Sequence, residues 1–568
     1  MKQSIIRFLL LALLLTGKTY MHAIEFEVNG IKYETTSSST IKVAHKNDYS
    51  GDIVIPESVD YKGTTYSVTS IDNEAFRKCS SLTSVSIPNS VTSIGKLAFA
   101  VCSGLTSVSI GNSVKSIGDY AFQACAGLTS VSIPNSVTSI GNWAFGGCRG
   151  LISVTIGNDI SSESDCARIG YEAFYYCESL KSLSIGIDVV IGDTSFEGCN
   201  NISTLTFNCP KIENWFSGME SIEKVIIGNK VNTIGYRAFY NCRNLTTAII
   251  EDGVEAIDEE AFYSCKKLSP VIFPNSLTFI GNKAFFGCSS ITSITIPDSV
   301  TGLGDFTFAA CGGLNYVSIG TGLDVVPMWT FQLSNNLISL YVNSKRIRGS
   351  FHDTSFKEVI IGDNVEEIFS SAFTACSQLK TLTLGKNVKS IGRDGFTECK
   401  FSSITIKSSP ITLHKAAFWR CSVKTIIYQC KEVYSSINST VPPSEIVFSD
   451  SVASIHDNAF ISYNMLTSVT SESMTPPDLE ENAFNNETYE NATLNVPIGS
   501  ATLYSQHQYW KKFKKIVEKD ASSINTISNN TDEAERIYNL SGKVLDADNT
   551  DNLPKGIYII NGQKVVIK

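Results

Sequence analysis

Sixteen cysteines are the residues with the most chemical potential in this 568-residue chain. So many thiols suggest a disulfide framework or a metal site. Their spacing points elsewhere. Thirteen of them, Cys79, Cys102, Cys125, Cys148, Cys177, Cys199, Cys242, Cys265, Cys288, Cys311, Cys376, Cys399 and Cys421, each stand three residues after a phenylalanine. Residues that recur in this way share one place in successive structural copies. Neighbours in such a column lie about one strand spacing apart, within disulfide Cα range, but their side chains point the same way, into a core. The expected state is a buried free thiol packed as a small hydrophobe. No Cys-x-x-Cys pair and no histidine beside the column supplies a metal-ligand set, so no metal and no cofactor is expected. Cys166, Cys209 and Cys430 lie off the column and are the better candidates for a reactive thiol.

Other catalytic chemistry has little to stand on. His45, His352, His414, His456 and His507 share no spacing to a serine, cysteine or metal partner. No G-x-S-x-G, H-E-x-x-H or phosphate-binding loop occurs. With 55 carboxylates some pair always looks catalytic, and none recurs in a way that singles it out. A non-enzymatic protein is expected. The formal net charge of −9 argues against nucleic acid, which needs a basic face to displace counterions, and no cluster of Lys and Arg is large enough to reverse that reading.

The elements that position the thiols are copies of one unit of about 23 residues. Residues 76–98 read FRKCSSLTSVSIPNSVTSIGKLA, and residues 99–121 and 122–144 repeat them with few changes. The marker phenylalanine recurs from Phe76 to Phe484, with worn copies around Phe216, Phe356 and residues 423–449, which suggests roughly 18 or 19 units over residues 71–499. In each unit, alternation such as Val85-Ser86-Ile87 predicts a strand with one buried face. Pro88, Pro134, Pro274 and Pro297 end their strands, Gly95 supplies a turn, and Ala-Phe-x-x-Cys predicts a short helical or 3₁₀ turn. One unit cannot bury its apolar side alone, so the copies stack and stability becomes a sum of neighbour interfaces.

The pattern LTSVSIPNSVTSIGxxAFxxC resembles the BspA-like leucine-rich repeats of microbial surface proteins and covers about three-quarters of the chain. The resemblance implies an α/β-type repeat solenoid, mostly parallel sheet with short helical or 3₁₀ turns. It also implies surface exposure and adhesion to a host matrix protein, another cell or a glycan. The alternatives are a structural spacer of the envelope and a carbohydrate-binding accessory protein.

The ends differ from the repeat. Residues 1–23 read as a signal peptide, with Lys2 and Arg7 before an apolar run at residues 8–15 that is too short to span a bilayer. Residues 24–70 are expected to form a β cap, with a hairpin across Asn29-Gly30. Residues 500–520 are expected to form a helical cap through Tyr504, Tyr509, Trp510 and Phe513, with Lys511, Lys512, Lys514 and Lys515 on one solvated helix face. A polar linker at 521–533 precedes a small all-β module at 534–568. Its pattern IYNLSGKV…LPKGIYIINGQKVVIK is similar to type IX secretion sorting modules, which implies export to the surface or medium through that machinery.

One position per unit should face outward between two buried strand residues. It is a small hydroxyl residue in the first six units, then Ile226, Ile249 and Ile272, with Tyr341 and Ile360 later. Contiguous exposed apolar surface marks interfaces. Ile226, Ile249, Ile272, Tyr316, Tyr341 and Ile360 are therefore the candidate partner-binding residues, with Tyr316 and Tyr341 as aromatic anchors. The insert at 157–170 is a further loop, read as tolerated length variation.

Overall fold

The computed structural model describes residues 23–157, 166–348, 351 and 355–520, and the backbone of four short strands between 537 and 567. The segment expected to be a signal peptide, up to residue 22, the centre of the 157–170 insert, His352, the expected linker and residues 561–562 lie outside the described residues. The chain divides into two compact units, residues 1–209 and 210–568. Each is a parallel β-solenoid, and together they make about 20 turns with very little helix.

One coil shows why the sequence folds this way. Leu82–Ser86 forms the long strand, its Ser84, Val85 and Ser86 paired in register with Ser107, Val108 and Ser109 of the next coil. Ser93–Ile94 forms a second, two-residue strand in a ladder with Ser116–Ile117 and Ser139–Ile140. A third ladder runs through the Ala-Phe turns. The Phe76, Phe99 and Phe122 amides each donate to the alanine carbonyl of the next coil at 2.7 Å. Stacking therefore satisfies the backbone on three sides of the coil. Identical apolar residues superpose inside: Leu82, Val91, Ile94, Ala98, Phe99 and Cys102 are all essentially inaccessible. The phenylalanine rings stack nearly parallel, with centroids 4.7 Å apart for Phe76–Phe99 and 5.3 Å for Phe174–Phe196.

The Ala-Phe-x-x-Cys segment is a chain of tight turns, not a helix. The residues two before and two after the phenylalanine have left-handed backbones, as at Leu97 (φ 57°) and Val101 (φ 65°) around Phe99. A left-handed L-residue costs roughly 1–2 kcal/mol. The turn ladder offsets that cost, because the left-handed amides are its donors: Leu97 to Asp119 and Val101 to Gln123, at 2.9 and 2.8 Å. Glycine serves a different purpose from the one expected. Gly95 and Gly118 do not adopt a positive φ. A Cβ at Gly95 would lie 2.6 Å from the Asn73 amide, and one at Gly118 would lie 2.7 Å from the Gly95 carbonyl carbon. Close approach of coils, not turn geometry, demands glycine there.

The second unit has a ring stack of its own from Phe239 to Phe418. Between Phe331 and Phe373 the ring in the column is Phe351, 5.5 and 5.3 Å from its neighbours. Phe356, read from the sequence as the marker of a worn copy, is tilted beside it at 5.8 Å. The coils here are shortened, so a fixed period misplaces the marker.

The N-terminal coil of the first unit and the C-terminal coil of the second are each covered. Glu25–Val28 and Ile31–Thr35 pair across Asn29-Gly30, and a second hairpin joins Ser58–Tyr61 to Thr64–Ile71 across Lys62-Gly63. Tyr49 lies on Phe76 with ring centroids 4.4 Å apart and covers the first ring of the column. At the other end, helix Ala501–Gln506 leads through a 3₁₀ turn, Trp510–Lys512, into a last strand, Lys515–Lys519, parallel to Thr493–Pro497. Trp510 is fully buried, and its indole N–H donates to the Pro477 carbonyl at 2.8 Å. The four lysines do not share a helix face. Lys511 and Lys512 stand in the turn, Lys514 follows it and Lys515 begins the strand. Beyond, Ile537–Asn539, Val544–Leu545, Gly556–Ile560 and Gln563–Ile567 pair antiparallel.

Candidate functional site

All sixteen cysteines are free thiols, and all but Cys166 are buried. The column has a function that spacing alone did not reveal. Twelve of the thirteen thiols donate to the carbonyl of a phenylalanine in the preceding coil, as Cys102 does to Phe76 at 2.9 Å, Cys125 to Phe99 at 3.1 Å and Cys288 to Phe262 at 3.1 Å, and Cys79, the first, donates to the Lys46 carbonyl at 3.4 Å. Where Ser334 replaces cysteine, its hydroxyl makes the same bond to Phe308 at 2.9 Å. Tyr463, in the equivalent place later, donates to the Ile437 carbonyl at 2.7 Å. The common requirement is a donor, and cysteine supplies a small one that also packs as a hydrophobe.

Burial pushes the Cys102, Cys148 and Cys311 thiols up to about 12. It does the same to two of the three thiols taken as reactive candidates. Cys209 is raised to about 12 and Cys430 to about 11, and both are buried. Their apolar surroundings disfavour the thiolate, which is the nucleophilic form. Cys166 alone is exposed, and burial and Asp188 raise its thiol too.

The described residues contain no group of histidine, cysteine and carboxylate side chains able to hold a metal ion. One trio resembles a hydrolase triad: His456 Nδ1 is 2.9 Å from Glu480 Oε1, and its Nε2 is 3.4 Å from Ser454 Oγ. Acyl transfer also needs free donors for the oxyanion. Here the Ser454 and His456 amides already donate to the Lys431 and Val433 carbonyls, so the trio is a surface hydrogen-bond chain.

The outer face of the sheet carries the sequence-derived candidates. Ile226 and Ile249 are partners in register on Lys224–Ile227 and Thr247–Ile250. Ile249 is 41% exposed and Ile226 is half-buried. Ile272 is also half-buried but stands outside any strand. Pro270, two residues before it, has no N–H to give a ladder, and pairing resumes only at Ser293–Ile296. The isoleucine stripe therefore runs across a break in the sheet. Tyr341 and Ile360 are register partners, both half-buried. Tyr316 is corrected as an exposed anchor: it is 3% exposed, on a central strand whose four residues are all buried. Alternation predicted its side but not its cover.

Aromatic ladders that the sequence reading missed lie beside the turns. Tyr240, Tyr263 and Phe286 stack at 4.9 Å intervals, and the Arg237 guanidinium lies 4.8 Å from the Tyr240 centroid. Each residue directly follows a marker phenylalanine, and that offset was the available signal. Face-to-face stacking leaves mainly ring edges to solvent, which disfavours a sugar laid flat along the ladder.

These features define a class: a repeat solenoid with closed ends, an internal donor column and a broad sheet face. The chain matches the family model described as BspA type leucine rich repeat region in six copies, over residues 58–167, 158–269, 255–349, 344–441 and 431–531. It belongs to that family. Leucine-rich-repeat solenoids are generally non-enzymatic and generally bind protein ligands. Among solved structures, a leucine-rich repeat protein from Bacteroides ovatus is 26% identical, with 71% of this chain and 94% of that one covered and a TM-score of 0.31. A leucine rich cell surface protein from Faecalibacterium prausnitzii is also 26% identical, covering 63% and 93%, with a TM-score of 0.29. No protein of curated function matches. No helix among the described residues is long and apolar enough to cross a membrane.

Proposed function

We propose that this chain is an exported, non-enzymatic interaction protein that holds a partner, a host or neighbouring-cell protein or glycan, on the outer face of its second unit. The observation that carries this reading is the apolar stripe at the sheet break. Ile249 is 41% exposed between the half-buried Ile226 and Ile272, where the corresponding strand position of the coils in the first unit is serine or threonine. Tyr341 and Ile360 extend the candidate surface. Export is supported by the n-region and apolar run at residues 2–15, and delivery by the type IX-like pattern of residues 534–568. The cell-surface description of the Faecalibacterium protein agrees with this localisation. The test is capture of matrix proteins and glycans by the full chain and by a variant with Ile226, Ile249 and Ile272 changed to threonine. Saturable binding that the variant loses while keeping its unfolding profile supports the reading. Unchanged binding refutes this site.

A further inference from the structure

The charge of the chain is unevenly placed. Residues 345–431 hold 14 Lys and Arg against seven Asp and Glu, a net of about +7 in a chain of −9. Pairing consumes one part of this excess. Arg346, Lys386, Lys389, Arg393 and Arg420 bond Asp324, Asp363, Glu366, Asp394 and Glu398. Another part is free. Lys357, Lys380, Lys400 and Lys424 are exposed, and among the described residues none forms an ion pair.

These four are close in the fold although the first and the last are 67 positions apart in sequence. Each of Lys357, Lys380 and Lys424 stands immediately before a long strand: Glu358–Ile361, Thr381–Leu384 and the Thr425–Tyr428 portion of its strand. The Lys380 amide donates to the Lys357 carbonyl, and the Ser402 amide to the Lys380 carbonyl. Ser403 then pairs in register with Thr425, which places Ser402 beside Lys424. On the coil where the column holds serine, Lys400 begins the strand Lys400–Ile406 two residues upstream. Four consecutive coils thus present a cation along one edge of the sheet, at intervals of about 4.8 Å. Two carboxylates adjoin the strip on the sheet side. Glu445 accepts from Thr425 Oγ1 at 2.9 Å, and Glu358 lies 3.4 Å from Ser339 Oγ.

We infer that this lysine strip binds a polyanionic carbohydrate chain, its carboxylate or sulfate groups spaced along the coils. The strip is a different surface from the isoleucine stripe, and the proposal stands whether or not that stripe binds a protein. Three observations select the ligand. The free cations are lysines, which act as point charges, while the paired Arg346, Arg393 and Arg420 have spent the forked geometry that clamps one carboxylate or phosphate, so the strip suits a run of spaced charges and not a single clamped group. Hydroxyl side chains, Thr381, Ser402 and Ser403, alternate with the lysines and offer partners to sugar hydroxyls. No aromatic residue occupies the column positions, so stacked bases have no platform there.

The experiment measures binding of the full chain to a polyuronate, to dextran sulfate, to neutral dextran and to single-stranded DNA, at salt from 50 mM upward. Variants are Lys357→Gln/Lys380→Gln/Lys424→Gln, the same three sites changed to arginine, and a control, Lys511→Gln/Lys515→Gln. The expected result is binding to one or both acidic glycans that weakens with salt, and none to dextran. The glutamine triple should lose about 100-fold at low salt, on the order of fivefold per lysine, and show a shallower salt slope. The arginine triple and the control should bind as the parent does. Preference between polyuronate and dextran sulfate identifies carboxylate or sulfate as the natural charge. No glycan binding, equal binding to neutral dextran, an unaffected glutamine triple, or tighter binding to DNA overturns the proposal.

Discussion

Replacing Cys288 separates two parts of what the thiol column does. Cys288 is fully buried, and its thiol donates to Phe262 O at 3.1 Å. Cys288→Ala removes the sulfur and leaves a small void, a loss of about 1–2 kcal/mol by transfer and cavity costs. It also removes a weak donor, which adds a few tenths of a kcal/mol up to about 1. The Phe262 carbonyl keeps the Cys265 amide at 3.2 Å, so it is not orphaned and the total stays at about 1–3 kcal/mol. Cys288→Ser keeps a donor, as Ser334 does naturally, and should cost no more than about 1.5 kcal/mol. Serine is therefore expected to be the milder change by about 1 kcal/mol. Stacked repeats need not unfold in one step, so the measure is amide exchange of residues 262, 265 and 288 in the full chain. Alanine as stable as serine, or more stable, would show that the sulfur only fills space and would refute the donor assignment.

Three further predictions follow from local geometry. Val101→Gly relieves a β-branched left-handed residue and should leave the melting temperature unchanged or raise it, as Gly147, Gly198 and Gly287 occupy the equivalent place; Val101→Pro removes the amide that bonds Gln123 and should cost more than about 3 kcal/mol. Alkylation of the folded chain should modify Cys166 first, at a rate still rising above pH 9 because burial and Asp188 raise its thiol, with peptide mapping as the readout. Burial alone would raise the Asp363 carboxyl, but the Lys386 amide and ammonium override it and hold it below the usual range. A depressed folded pKa gives stability that is present above the unfolded pKa of about 3.9 and lost as pH falls through the folded one. Asp363→Asn should flatten that acid dependence by under about 1 kcal/mol in unfolding titrations, and an unchanged profile would remove Asp363 from it.

The sequence made the coil legible because its copies are few-residue variants of one unit. Val85, Ile87, Val91, Ile94, Phe99 and Cys102 all fall inside, as period and alternation required. What it hid depends on relations between coils. The need for glycine at Gly95 comes from the neighbouring backbone, and the left-handed Leu97 and Val101 are held by amides given to the next coil. Neither is visible in one unit read alone. Tyr316 failed as a site residue because alternation says which face a side chain leaves by, not whether that face is open. The four lysines went unnoticed because a cluster was sought along the chain. Aligning the residue before each long strand would have found three of them.

The turn ladder has a mechanical consequence. Each coil is tied to the next by short bonds that lie along the stacking direction, so a load applied at one end of a unit opens them a coil at a time instead of shearing a whole sheet at once. Releasing one coil of about 23 residues frees up to roughly 75–80 Å of chain. A tethered unit under tension would therefore lengthen in regular steps and take up a sudden pull while the coils beyond the break keep their faces intact.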